Sequence, residues 1–128
     1  MSTNRYDHLE LEELTGKIIS CGIEVHKKLG PGFLESLYES ALLIELQKQG
    51  LHAASQKEIR VFYDGCEIGV HRLDIVVEDK VIIELKAVIE LDQCHKAQLL
   101  SYLKASNIKI GLLLNFAKAV LQVKRMAY

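Results

Sequence analysis

The sequence predicts an α/β domain in which helices cover a mixed β-sheet, in the order helix, helix, three strands, helix, two strands. Apolar residues recur at three- and four-residue steps near the start, which is the spacing of one face of a helix. Short, largely apolar segments follow in the middle of the chain, and Asp64-Gly65 between two of them is a strong two-residue hairpin turn. The 128 residues match one ordinary domain, so we expect a single domain over residues 1–128.

The first two predicted helices both end at glycine. The stripe of the first helix consists of Leu11, Leu14, Ile18, Cys21, Val25 and Leu29. Gly30-Pro31-Gly32 ends that helix, because glycine suits the C-terminal cap and proline restricts the residue before it. The second helix is predicted over about residues 33–49, and Gly50 ends it. We expect its inner side to carry Leu34, Leu37, Ala41, Leu42 and Leu46.

Strand patterns begin near residue 57. Segments 59–63, 68–77 and 81–87 are expected to form a three-stranded meander. Asp92 is a plausible N-cap for a helix over about residues 93–106. The apolar positions of that helix are Ala97, Leu100 and Leu103, with Leu99 on the flank. Segment 109–116 is a largely apolar strand, and 119–126 is predicted as a more exposed one.

Composition excludes several classes of protein. An apolar fraction of 49% with 26% charged residues is typical of a soluble globular domain. No apolar run approaches the roughly 20 residues of a membrane span, and the start lacks a signal-peptide core, so we expect a cytoplasmic protein without membrane contact. The three cysteines, Cys21, Cys66 and Cys94, are expected to be small packing residues. The net charge of −1 argues against a stand-alone, tight DNA binder.

Three residues with chemical potential lie on two neighbouring predicted strands. If Glu78-Asp79-Lys80 connect these strands, Val77 faces Val81 and Asp74 faces Glu84. One face of the hairpin is then apolar and carries Leu73, Ile75, Val77, Val81, Ile83 and Leu85. The other face carries Arg72, Asp74, Val76, Ile82, Glu84 and Lys86. A slip by one residue would bury an unpaired carboxylate, so apolar burial favours the register that brings Asp74, Glu84 and Lys86 together.

Two carboxylates and a lysine suit metal-assisted hydrolysis of a phosphodiester. Asp74, Glu84 and the Leu85 carbonyl offer the oxygen ligands that Mg²⁺ or Mn²⁺ prefers. Lys86 would orient the attacking water or stabilise developing charge. The alternative is a solvent-facing strand surface with an acid–lysine pair across the strands, which is the more common meaning of such a triplet alone.

Two helices carry further candidates. Gln98 and Tyr102 lie four residues apart on one helix face, where they would bind a phosphate or orient Lys86. The alternative is that they only border an apolar core. Glu35 opens the second helix and would be a third carboxylate at the site, or a residue that merely favours the helix dipole.

A run of motifs resembles a known family. The segment Leu29-Gly30-Pro31-Gly32-Phe33-Leu34-Glu35-Ser36-Leu37-Tyr38-Glu39 resembles the signature of the GxxExxY protein family, which is assigned to the PD-(D/E)xK nuclease superfamily. The resemblance continues through Asp64-Gly65, Arg72-Leu73-Asp74, Glu84-Leu85-Lys86-Ala87, the segment 95–103 and Asn115-Phe116. Leu73 stands where the superfamily name implies proline.

The resemblance implies a restriction-endonuclease-like core, α-β-β-β-α-β, with a mixed sheet flanked by helices. It implies that Asp74 and Glu84 are metal ligands, that Lys86 is the catalytic lysine, and that the preceding helix contributes Glu35. Gln98 and Tyr102 match a glutamine-xxx-tyrosine motif of nuclease domains in bacterial recombination enzymes. The hypothesis is a Mg²⁺- or Mn²⁺-dependent nuclease acting on DNA. The alternative is a catalytically inactive nuclease-fold module for binding or oligomerisation, such as a homodimer formed through the final strand or a leucine-rich helix.

Overall fold

The computed structural model describes the backbone of residues 5–128 and the side chains of residues 8–128. Residues 1–4, on which the expectation of no signal peptide partly rests, lie outside the described residues. The elements are α1 (Arg5–Leu29), α2 (Glu35–Lys48), β1 (Ala53–Tyr63), β2 (Cys66–Val77), β3 (Val81–Lys86), α3 (Gln93–Ser106), β4 (Ile110–Asn115) and β5 (Gln122–Ala127). The predicted order of helices and strands is confirmed.

The five strands form one mixed sheet in the order β1-β2-β3-β4-β5. β3 and β4 pair in parallel, whereas the other neighbouring strands pair antiparallel. α3 is the crossover that the parallel pair requires, because parallel neighbours cannot be joined by a tight turn. The predicted α/β class with a mixed, helix-flanked sheet is therefore confirmed.

The sheet is buried on both faces at its centre. α1 and α2 cover one face, where Ile18, Val25 and Leu42 pack against Ile75 and Ile83. α3 covers the other face. The cluster beneath α3 consists of Leu73, Val76, Ile82, Leu99, Tyr102, Leu103 and Leu113. Central strands buried on both sides explain the near-continuous apolar sequences of β3 and β4.

The inner side of α2 differs from the prediction. Tyr38, Leu42 and Leu46 are buried, at steps of four residues. Leu34 and Leu37 are 73% and 49% exposed, so their predicted inward placement is wrong. The reason is that α2 begins only at Glu35, which leaves Leu34 outside the helix, and that the core selects the stripe containing Tyr38.

α3 is rotated relative to the expected apolar stripe. Leu99, Tyr102 and Leu103 are buried, whereas Ala97 is exposed. Leu99, predicted on the flank, is therefore central to the contact with the sheet. The predicted N-cap is confirmed, since the Asp92 carboxylate accepts the His95 N–H at 3.1 Å.

Two further expectations meet a mixed outcome. Cys21 is buried, but Cys66 and Cys94 are exposed, so the prediction that all three are packing residues is wrong for the latter two. Cys66 is the first residue of β2 and Cys94 is the second residue of α3, and neither side chain packs in the apolar core. Among residues 5–128, none of the helices has the length and apolar character needed to cross a membrane.

Candidate active site

The register of the β2–β3 hairpin is the predicted one. Val77 pairs with Val81, and Ile75 pairs with Ile83. Glu78 and Asp79 in the connecting turn both adopt φ of 54°, a left-handed conformation that tightens the turn. The predicted pairing is thus observed for residues 75–77. The expected cause is wrong, however, because both faces of the hairpin carry buried apolar residues and Glu84 is itself buried.

Beyond Ile75 and Ile83, side chains replace the regular ladder of backbone hydrogen bonds. The Asp74 N–H donates to Glu84 Oε1 at 3.2 Å. The Leu85 N–H donates to Asp74 Oδ2 at 2.9 Å. The two carboxylates are held together at the point where β2 and β3 separate.

The strand alternation predicted for β2 is interrupted at Asp74. Leu73 packs with Val76 and Ile82 beneath α3, so its predicted place on the Ile75 face is wrong. The opposite face is not a solvent-facing surface either, because Val76 and Ile82 are buried. The neighbouring strand is irregular at the same level, where Gln56 adopts φ of 53° and drops out of the pairing. The site therefore lies where the sheet is distorted.

The surroundings of Asp74 and Glu84 disfavour the ionised form of both side chains. Glu84 is only 4% exposed, and burial raises its pKa to about 8, with the Asp74 charge adding to the increase. Burial also raises the pKa of Asp74, against the effects of the Leu85 N–H and the Lys86 charge. A buried and a half-buried carboxylate that act on each other electrostatically call for a cation between or beside them.

α3 supplies polar groups to the same place. Lys86 Nζ donates to Gln98 Oε1 at 3.2 Å. Tyr102 is buried, and its pKa is raised first by burial and then by the charges of Glu84 and Asp74. The structure thus places Gln98 against Lys86, and Tyr102 close enough for the charges of Glu84 and Asp74 to act on it, while the roles of both residues stay a prediction.

A tyrosine determines where α2 begins. The Tyr38 hydroxyl accepts the Phe33 N–H at 3.1 Å and donates to the Gly30 carbonyl. The Tyr38 ring is fully buried and stacks on Phe116 at a centroid distance of 4.4 Å. Gly32 takes φ of 111°, which favours glycine. The turn before α2 is thereby tied to the core.

This turn brings Glu35 to the end of β3. Glu35 Oε2 accepts the N–H of Ala87, the residue after Lys86, at 3.2 Å. Its charge makes a minor contribution to the raised pKa of Glu84. Glu35 therefore lies beside the site, and its dominant contact in this structure is a backbone N–H rather than another carboxylate.

Three polar residues at the site were not predicted. Gln56 Nε2 donates to both carboxylate oxygens of Glu39, at 3.0 and 3.1 Å, and Gln56 slightly opposes the rise in the pKa of Asp74. Asn115 is fully buried and hydrogen-bonds to the segment after Lys86. Its side-chain amide donates to the Val88 carbonyl at 2.8 Å and accepts the Val88 N–H at 3.1 Å. Glu39 follows Glu35 by one helical turn, which is a usable signal. The positions of Gln56 and Asn115 depend on tertiary contacts alone.

The donor set fits a hard divalent cation. Asp74, Glu84 and the Leu85 carbonyl offer oxygen ligands only, and Mg²⁺ keeps several waters and needs few protein ligands. Among the described side chains, no cluster of three or more His, Cys, Asp and Glu residues could hold a metal ion. The role of Glu35 as a third carboxylate ligand therefore stays a prediction.

The comparisons with known proteins agree with this architecture. The family model of the PD-(D/E)XK nuclease superfamily matches residues 12–126. The chain therefore belongs to the PD-(D/E)XK nuclease superfamily, and its fold is restriction-endonuclease-like. A solved structure described as the crystal structure of SSO0001 is similar, with a TM-score of 0.57 and 19% sequence identity over 72% of this chain. This chain spans 48% of that chain, and similarity at this identity shows the fold alone. None of the curated proteins compared matches this chain.

Proposed function

We propose that this chain is a metal-dependent nuclease that hydrolyses phosphodiester bonds in DNA, with Mg²⁺ or Mn²⁺ as its cofactor. Membership of a nuclease superfamily supports the reaction class. The observation that carries the proposal is the proximity of the half-buried Asp74 and the buried Glu84, each of which accepts a backbone N–H from the other's strand, with Lys86 as the basic side chain beside them. Such a pair is costly in a folded protein without a cation, which supports a metal site at this place.

Each residue has a role that its contacts support. Asp74, Glu84 and the Leu85 carbonyl would hold the cation, which when bound polarises the phosphodiester and activates water. Lys86, held by Gln98 at 3.2 Å, orients the attacking water or stabilises the developing negative charge. Burial and the charges of Glu84 and Asp74 raise the pKa of Tyr102, which favours the protonated phenol, and this phenol would donate a hydrogen bond to a phosphate oxygen.

We also propose that the chain is a GxxExxY-type member of the superfamily. The three motif residues are Gly32, Glu35 and Tyr38, and each has a distinct physical role here. Gly32 takes a left-handed φ, Tyr38 ties the turn to the core, and Glu35 reaches the backbone after Lys86. The motif thus serves to deliver an acid from α2 to the end of β3.

The test is cleavage of single- and double-stranded DNA and of RNA with Mg²⁺ or Mn²⁺, and with a chelator as the control. We expect Glu84→Ala and Lys86→Ala to abolish a divalent-dependent activity. Lys80→Ala is a matched control, because Lys80 is exposed and about 20 Å away at the other end of β3. Activity that persists in both site variants, or that is equally lost in Lys80→Ala, contradicts this site.

The second candidate is a catalytically inactive nuclease-fold module that binds nucleic acid or forms a homodimer. It is favoured by the lack of a three-ligand cluster among the described side chains. Titration calorimetry with Mg²⁺ and Mn²⁺ separates the two, because a chain with no divalent-cation site cannot run the proposed reaction. Sedimentation of the wild-type chain tests the homodimer.

A further inference from the structure

The acidic character of the site raises the question of where a polyanion would be held. Glu35, Glu39, Asp74 and Glu84 lie at the site, together with the basic side chain of Lys86. Most other basic side chains in the described part of the chain form ion pairs with acidic side chains. These are Lys17, Lys28, Lys48, Lys57, Arg60, Arg72, Lys80, Lys118 and Arg125. A strand leaving the site therefore needs a surface with free positive charge and no acids.

α3 provides such a surface. Its sequence from Gln93 to Ser106 contains no acid. Lys104 is exposed and forms no ion pair with any side chain of residues 8–128. Gln98, Ser101 and Lys104 follow one another at three-residue steps, each turned by about 60° around the helix axis. This polar stripe begins at the Lys86–Gln98 contact and winds around α3 toward its C-terminal end.

A groove lies beside the far end of the stripe. It has a volume of about 370 Å³ and lies between the β1–β2 hairpin and α3. The strands contribute Val61, Phe62 and His71, and the helix contributes Ser101, Lys104 and Ala105. Arg60 completes the lining, which contains no acidic residue.

The groove lies next to the site and is separated from it by one aromatic pair. The His71 ring lies edge-on to Tyr102 at a centroid distance of 4.5 Å. The charges of Glu84 and Asp74 in turn contribute to the raised pKa of Tyr102. One wall of the groove and one wall of the site are thus opposite sides of the same aromatic pair.

We propose that this groove holds the single nucleic-acid strand on one side of the scissile phosphate, with Lys104 contacting a backbone phosphate. The proposal rests on the proposed nuclease function and names how that site holds its substrate. Six residues of helix separate Gln98 from Lys104, a rise of about 9 Å. At about 3.4 Å per nucleotide, the groove takes about two or three nucleotides of the flanking strand.

The binding test uses a labelled single-stranded DNA of about 20 nucleotides. Fluorescence anisotropy in the Glu84→Gln background measures binding without hydrolysis. We expect Lys104→Ala to weaken binding about fivefold at 0.1 M salt and to lower the slope of log K against log salt by about 0.7, the value for one phosphate contact on a single strand. Lys124→Ala removes the same charge from β5, about 19 Å from β1 across the sheet, and should leave both quantities unchanged.

A cleavage assay separates this proposal from the nuclease function. In the otherwise wild-type chain we expect Lys104→Ala to raise KM about fivefold with kcat unchanged, and the effect to vanish when the flanking strand is cut to one nucleotide. Unchanged binding and KM in Lys104→Ala, beside normal wild-type cleavage, overturns the groove and leaves the nuclease function intact. Equal losses in Lys104→Ala and Lys124→Ala, or a wild-type chain that binds no nucleic acid, also overturn the groove.

Discussion

Glu84 should make the metal-free protein less stable as the pH rises. Its pKa is raised from 4.5 to about 8 in the folded chain, mainly by burial and then by the charge of Asp74. At about 1.4 kcal/mol for each tenfold change in the ionisation constant, keeping this carboxylate ionised in the fold costs up to about 5 kcal/mol. The folded state holds the proton more tightly than the unfolded state. The contribution of the protonated Glu84 to the free energy of unfolding is therefore fully present below pH 4.5 and is lost as the pH rises through about 8.

The perturbation is Glu84→Gln, which keeps the size of the side chain and removes the charge. Without divalent cations, we expect wild type to lose several kcal/mol of unfolding free energy between about pH 5 and pH 9, and Glu84→Gln to lose clearly less. Urea unfolding followed by circular dichroism in a chelator measures both curves. Glu13→Gln, at an exposed position on α1, is the control and should follow wild type. Parallel curves for wild type and Glu84→Gln refute the assignment of the raised pKa.

The same pair of proteins reports on the cation. Mg²⁺ should stabilise wild type more at pH 8 than at pH 6, because it binds the ionised carboxylates and competes with the proton. Glu84→Gln should lose most of this stabilisation. A Mg²⁺ effect of equal size in both proteins would place the cation away from Glu84.

The remaining predictions concern stability and are measured by urea unfolding. Leu42→Ala should lower the free energy of unfolding by about 2–5 kcal/mol, because Leu42 is fully buried. Leu37→Ala should lower it by less than about 0.5 kcal/mol, because Leu37 is 49% exposed. Equal losses would contradict the observed inner face of α2. Gly111→Ala should cost about 1–3 kcal/mol, since the added Cβ would lie 2.8 Å from Leu99 Cδ1, and a neutral result would show that Leu99 moves freely. Asn115→Ala should cost about 1–3 kcal/mol by leaving the buried Val88 backbone groups unpaired, and a stable variant would imply that water replaces the amide.

The fold was largely predictable from local patterns. The order of elements, the Asp64-Gly65 turn and the Val77–Val81 register all follow from periodicity and turn residues, which act over a few neighbouring positions. The errors concern which side of an element faces the core. Leu37 and Ala97 are apolar and suitably spaced, yet they are exposed, because the rotation of a helix is decided by the surface it packs against.

The sequence by itself predicted the pairing of β2 with β3 near the turn, because the three residues 78–80 between two apolar segments set which positions face each other. This pairing brings the Asp74 backbone to the Glu84 carboxylate. It also determined that Gln98 and Tyr102 share a helix face. Only the tertiary structure decided that Glu35 binds the Ala87 N–H, a contact across 52 positions of the chain. Such contacts depend on how separate elements pack, and no local pattern in the chain records that geometry.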